Sequence, residues 1–402
     1  MKNDAVSRRI SMLRFLMIFG VVVVHTPPTA SVYEMDGTVW PYITSFFQNG
    51  VFKAGVPVLT MISGFLLFFS NGDQKYFELL KKKAASLLIP FMVFNFGHIA
   101  LQLVLRLTTG RWLGEDLFSQ NLDGWMNSLF SLRGVPENDP LHFLRELIVL
   151  LVLAPIFGLL IRRIPVIGLM TVSIFFLSNT DGYLINRSDM PIEFYIGGLA
   201  AVYKWNLEVL DKFSYVSLTL FLGACAVVSL FQIGSITWLR LISPLLVWSA
   251  ASLLVNKKIG SWMASLSIYS FFIYLTHAPL MRMIWILCKE RMSTHNIAIF
   301  TVVAPFVVTI LCIYIHKNAR AFAPKLFDWA TGAREQSKKY QLESYVVNQP
   351  ERISQLQVLT QNSSKENDSL ADSVSESIVS GSYSESPNLV DNMVTVSDAK
   401  LI

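Results

Sequence analysis

The chain has 402 residues, of which 53% are apolar and only 15% charged, with 28 Phe and a positive mean hydropathy. Soluble domains carry nearer a quarter charged residues, so this composition excludes an ordinary water-soluble enzyme and names lipid as the solvent. The net charge of +5 is informative only through its distribution among loops, and no nucleic-acid partner is expected.

Apolar stretches recur near the ~20 residues that a helix needs to cross the hydrocarbon of a bilayer. They predict an all-α fold: a polytopic transmembrane helical bundle of about ten spans over residues 1–334, followed by a disordered polar tail over 335–402. In chain order the spans fall near 8–27, 51–70, 86–107, 142–161, 165–179, 191–204, 213–231, 236–255, 262–285 and 297–316. The first 28 residues have the charge and hydropathy of a signal peptide. Arg14 interrupts the apolar run, however, and no small-residue cleavage site follows, so a retained span is expected.

The loops assign the orientation through the excess of Lys and Arg on the cytosolic side. With the N-terminus inside, the cytosolic segments carry Arg8 and Arg9, the run Lys75, Lys81, Lys82 and Lys83, Arg162 with Arg163, Lys257 with Lys258, and Lys317 with Arg320. The opposite loops hold Arg111, Arg133, Arg187, Lys289 and Arg291, but also nine acids, among them Glu34, Asp116, Glu137, Asp139 and Asp189. An even number of spans with both termini in the cytosol is expected. The longest outer loop, roughly 108–141, mixes Trp112, Trp125 and Phe130 with polar residues and is expected along the interface. From residue 335 the chain is rich in Ser, Asn, Asp and Glu without a periodic apolar face, the composition of a disordered segment. Cys225, Cys288 and Cys312 have no metal-ligand spacing and receive no role, and no metal site is predicted.

Charged residues inside spans are expensive and mark functional candidates. In the first span, eleven steps of ~100° bring Arg14 and His25 to within ~20° of one helix face, with ~16 Å between them along the axis. Arg14 then belongs to the cytosolic half and His25 to the outer end. The plainer alternative has Arg14 snorkelling to headgroups and His25 capping the span. In the ninth span Ser270, Tyr274 and His277 share one face at i, i+4 and i+7, and Pro279 should free a backbone carbonyl just below itself. The alternative there is a hydrogen bond that only joins helices. At the outer start of the fourth span, Arg145 and Glu146 are adjacent, so they should point to different sides and find different partners; an ordinary end-of-span charge pair is the alternative. Glu193, at the start of the sixth span, is the weakest of these candidates. Around Ser63 and Gly64, small residues permit close helix approach, or, with Pro57, mark a broken helix lining a cavity.

Together these motifs resemble the integral-membrane acyltransferases of acyltransferase family 3, bacterial proteins that acylate, most often O-acetylate, glycans and other envelope molecules. The resemblance spans about residues 8–330. It rests on Arg14 and His25 at the family's spacing, on Val56-Pro57 with Ile62-Ser63-Gly64-Phe65, on Phe143-Leu144-Arg145-Glu146-Leu147, and on Ser267 through Pro279. Two departures stand out. Where relatives carry two arginines three apart before the third span, this chain has Lys83 and Ser86. Where they often carry Trp before Phe143, it has His142.

The resemblance implies an acyl-CoA co-substrate, by default acetyl-CoA, no bound cofactor, and a glycan or lipid-linked glycan acceptor at a bacterial cytoplasmic membrane. It implies that Arg14 with Lys81, Lys82 and Lys83 holds the anionic donor from the cytosol. His25 then deprotonates the acceptor hydroxyl or takes the acyl group itself, with Tyr274, His277 or Ser63 donating to the oxyanion. Arg145 and Glu146 fall to substrate binding. The competing reading from the residues alone is a transporter or flippase of a polar solute or lipid-linked sugar, its buried charges lining a path.

Overall fold

The computed structural model describes residues 2–28, 39–110, 119–132, 134–178, 184–234, 236–292 and 294–332. Every regular element among them is helical. The first half of the chain forms α1 (Lys2–Val24), α2 (Trp40–Ser45), α3 (Gly55–Phe69), α4 (Tyr76–Lys83), α5 (Ile89–Thr109), α6 (Leu122–Phe130), α7 (His142–Val152) and α8 (Ala154–Arg163). The second half forms α9 (Pro165–Leu177), α10 (Asp189–Val202), α11 (Ser214–Leu230), α12 (Thr237–Ala250), α13 (Ser252–Val255), α14 (Lys258–Cys288), α15 (Thr294–Phe322) and α16 (Pro324–Ala330).

Six of the resulting continuous helices are long and apolar enough to cross a membrane, and a seventh arises if a bent pair is one span. The expected ten are not reached by that measure, for a reason of length and charge. The regions 165–179 and 191–204 supply helices of only 13 and 14 residues, and α1 opens on Lys2, Asp4, Arg8 and Arg9. The span expected at 142–161 is broken instead: α7, with the turn before it, and α8 meet at 58°. Pro155 is the cause, since it enters α8 without an N–H for the carbonyl of Leu151. The tail from 335 and Trp112 of the outer loop lie outside the described residues.

The bundle is organised around two helix pairs. α1 packs along α14, and α10 packs along α3. The second pair is close because of glycine. A Cβ on Gly64 of α3 would strike the backbone of Phe194, and one on Gly197 of α10 would strike the backbone of Met61. Small residues in membrane helices let backbones approach and gain dispersion contact where lipid offers no hydrophobic drive. α10 is accordingly buried almost all round.

α1 is also enclosed on most sides. Met12, Leu13, Phe15, Met17 and Ile18 are all buried, yet Arg14 among them is exposed. Its exposure leaves one side of α1 uncovered on the N-terminal side of the stretch that leads to His25. At the same end Arg9 is buried, forked onto Asp211 at 2.7 and 2.6 Å, with its guanidinium 4.9 Å from the Trp248 ring. The bidentate pair fixes the N-terminal part of α1 to the 3-10 helix before α11.

Candidate active site

At its C-terminal end α1 stops at Val24, and His25 lies in the turn that follows. Gln48, from the π-helical turn after α2, donates its amide to the carbonyls of Val23 (3.1 Å) and Thr26 (2.9 Å), which secures that turn. His25 Nδ1 lies 2.8 Å from the carbonyl of Val21. A carbonyl only accepts, so Nδ1 carries a proton, and in the neutral ring Nε2 then holds the lone pair. That Nε2 faces Asp139 Oδ2 at 3.7 Å.

Three histidines converge here. The rings of His25 and His277 meet edge to face with centroids 5.4 Å apart. His142 places Nδ1 2.8 Å from the carbonyl of Asp139 and 4.0 Å from its carboxylate. His277 is fully buried, its Nδ1 donating to the carbonyls of Ile273 (3.0 Å) and Tyr274 (2.9 Å). Its Nε2 has no hydrogen-bond partner among the described residues. Lys53, in the 3-10 turn before α3, and Arg282 on α14 are the cations whose fields reach His25.

The other sequence candidates divide. Tyr274 reaches the same turn, but its hydroxyl is committed: it donates to the carbonyl of Pro140 at 2.5 Å and accepts from the amide of Leu144 at 3.2 Å. Ser63 gives its hydroxyl to Leu59 on its own helix at 2.7 Å, ~12 Å along α3 from Gly55. It is not joined to the histidine cluster. Arg145 and Glu146 contradict the expectation of separate partners, because they pair with each other at 2.7 Å. Adjacency did not forbid this: the long Arg145 side chain folds back over the first turn of α7, where it also donates to the carbonyls of Ser131 (3.1 Å) and Leu184 (2.6 Å). Glu146 accepts from the amide of Asn186 at 3.2 Å, so the pair ties two outer loops together.

Lys83, at the end of α4, is within electrostatic reach of Arg14, while Lys81 and Lys82 are exposed. The basic group of Arg14 and Lys83, near the middle of α1, and the histidine–carboxylate cluster just past its C-terminal end are thus set apart along one helix axis. Asp139, Lys53, Arg282 and Gln48 were not singled out from the sequence. Asp139 looked like one more outer-loop acid, and its only local signal was its place in Asn138-Asp139-Pro140 before the helix that carries Arg145.

A family model described as an acyltransferase domain matches residues 8–316, which takes in both ends of that axis. The chain belongs to acyltransferase family 3. It is a multi-pass membrane acyltransferase. The chain is 28% identical over 350 residues to the succinoglycan biosynthesis protein ExoH of Rhizobium meliloti (strain 1021), covering 83% of this chain and 94% of that relative. No solved structure matches it.

Proposed function

We propose that this protein transfers an acetyl group from cytosolic acetyl-CoA to a hydroxyl of an envelope or exported glycan, or of its lipid-linked precursor. The reading places it in a bacterial inner membrane with both termini cytosolic. Its strongest support is the approach of His25 Nε2, the ring nitrogen not committed to a backbone carbonyl, to the Asp139 carboxylate, which can hold the imidazolium that forms there. The similarity to a succinoglycan biosynthesis protein favours a glycan acceptor.

In this mechanism the phosphates of the donor rest on Arg14 and the α4 lysines, and the thin pantetheine arm spans the ~16 Å to His25. An acceptor hydroxyl within ~2.8 Å of Nε2 gives up its proton there as its oxygen attacks the thioester carbonyl. The imidazolium so formed is stabilised by Asp139. As the tetrahedral intermediate collapses, the C–S bond breaks and Nε2–H returns the proton to the thiolate, leaving ester and free CoA. With the Tyr274 and Ser63 hydroxyls committed elsewhere, and His277 presenting a lone pair, the oxyanion falls to the positive fields of Lys53 and Arg282.

The test is transfer of labelled acetyl from acetyl-CoA to surface polysaccharide in membrane vesicles. His25→Ala is expected to lose ~10²–10⁴-fold in rate, the usual worth of a general base, while still folding. Arg14→Ala is expected chiefly to raise the donor KM. Wild-type transfer by the first variant removes His25 from the chemistry, and an unchanged KM in the second removes Arg14 from the donor site.

A further inference from the structure

The turn that presents Asp139 to His25 is held from three directions. Asn95, fully buried on α5, gives its amide to the carbonyls of Ser128 (2.7 Å) and Leu129 (2.8 Å), and its Oδ1 accepts from the backbone N–H of Asn138 at 3.0 Å. The Tyr274 hydroxyl grips Pro140 and Leu144, as described above. Between these, Asn138 donates its side-chain amide to the carbonyl of Leu275 at 3.3 Å.

Leu275 is not an arbitrary acceptor. Helix bonding would have its carbonyl accept from the N–H four residues on, but that residue is Pro279, which has none. A lone carbonyl in a membrane helix must be satisfied by a neighbour. We infer that Pro279 and Asn138 form a latch: the proline vacates a carbonyl in α14, Asn138 occupies it, and Asp139 is thereby held opposite His25 as its positioning carboxylate. Asn138, Asn95 and Pro279 act through Asp139 and never touch the acceptor. Three observations favour this over simple loop anchoring. Asn138 is itself 2% exposed; it is the residue immediately before Asp139; and Asp139 faces Nε2, the ring nitrogen that the Val21 carbonyl leaves free to take up a proton.

The assignment of Asp139 to the reaction rests on the reading of His25 as base, but the latch has a readout of its own. Diethyl pyrocarbonate reacts with unprotonated imidazole, so the pH dependence of His25 modification, followed on its peptide by mass spectrometry, reports the charge felt at His25. The charges facing it are Asp139, His142, His277, Arg282 and Lys53. The expected results in the detergent-purified full-length protein are specific. Asp139→Asn lowers the midpoint by about one pH unit, the size of a charge 3.7 Å away in a water-like medium. Asp139→Glu retains a midpoint near wild type. Asn138→Ala lowers it in the same direction by a smaller amount.

Pro279→Ala gives the helix back its N–H, which competes for Leu275, and is expected to copy Asn138→Ala. The double variant is expected to shift no further than the larger single one, since both break the same link. A midpoint unmoved by Asp139→Asn overturns the pairing. A midpoint moved by Asp139→Asn but by neither Asn138→Ala nor Pro279→Ala overturns the latch. A normal midpoint pattern in protein that transfers no acetyl group leaves the latch standing and sinks the proposed function instead.

Discussion

Tyr274 shows how a single polar atom in this bundle can be assigned by what it already holds. Its ring is 4% exposed, and its hydroxyl is at once donor to Pro140 and acceptor from Leu144. Tyr274→Phe keeps the ring and strands a buried carbonyl and a buried amide, a cost of about 1–3 kcal/mol each in a dry site. The expected outcome is a lower thermal unfolding temperature, a partial loss of transfer and an unchanged donor KM, because the loop that carries Asp139 loosens while the surroundings of Arg14 are untouched. Full stability with abolished transfer would return the hydroxyl to the oxyanion. The helical face shared by Ser270, Tyr274 and His277 was readable at i, i+4 and i+7. That the hydroxyl serves Pro140 was not, since nothing local to Tyr274 encodes a partner 134 residues away.

At the scale of elements, glycine decides the closest contact. The run Ile62-Ser63-Gly64 reads as a site of close approach, and the structure supplies the partner: the backbone of Phe194, with Gly197 opposite Met61. Gly64→Ala therefore has to push α3 and α10 apart rather than repack a side chain. Overpacking of this kind typically costs 1–3 kcal/mol. The expected loss is of stability before activity, seen as a lower unfolding temperature in detergent with the acetyl-CoA KM near wild type. A stability unchanged by Gly64→Ala would show that the two backbones can separate freely. Hydropathy located these helices and put their number near ten, of which six, or seven with the bent pair counted as one span, are continuous helices long and apolar enough to cross. It registers apolar content and not the breaks set by single residues, as Pro155 sets the 58° bend between α7 and α8, nor that a helix such as α10 is apolar because protein surrounds it.

For the whole molecule the governing feature is the separation of two chemistries along α1. Helical periodicity alone predicted one stripe for Arg14 and His25, because they stand eleven residues apart in one apolar segment; the helix itself ends at Val24, one residue short of His25. It could not supply Asp139, which the fold brings to His25 from a turn 114 residues later in the chain. The resulting axis has sidedness. Arg14 is exposed near the middle of α1 within electrostatic reach of Lys83, while the His25–Asp139 pair sits just past the C-terminal end, where Asp139 is 43% exposed. If the acyl group crosses along this axis, the two faces of a sealed vesicle act on different steps. Acetyl-CoA should support transfer only when supplied on the Arg14 face, and raising the ionic strength there should raise its KM by screening the lysines. Acidifying the opposite face should slow transfer by protonating the His25–Asp139 pair, whereas the same change on the Arg14 face should leave the rate nearly unaltered. Vesicles of both orientations, with donor and buffer set independently on each side, measure this directly. A rate that follows the pH of the donor side would place the reacting imidazole on that side and overturn the direction of transfer.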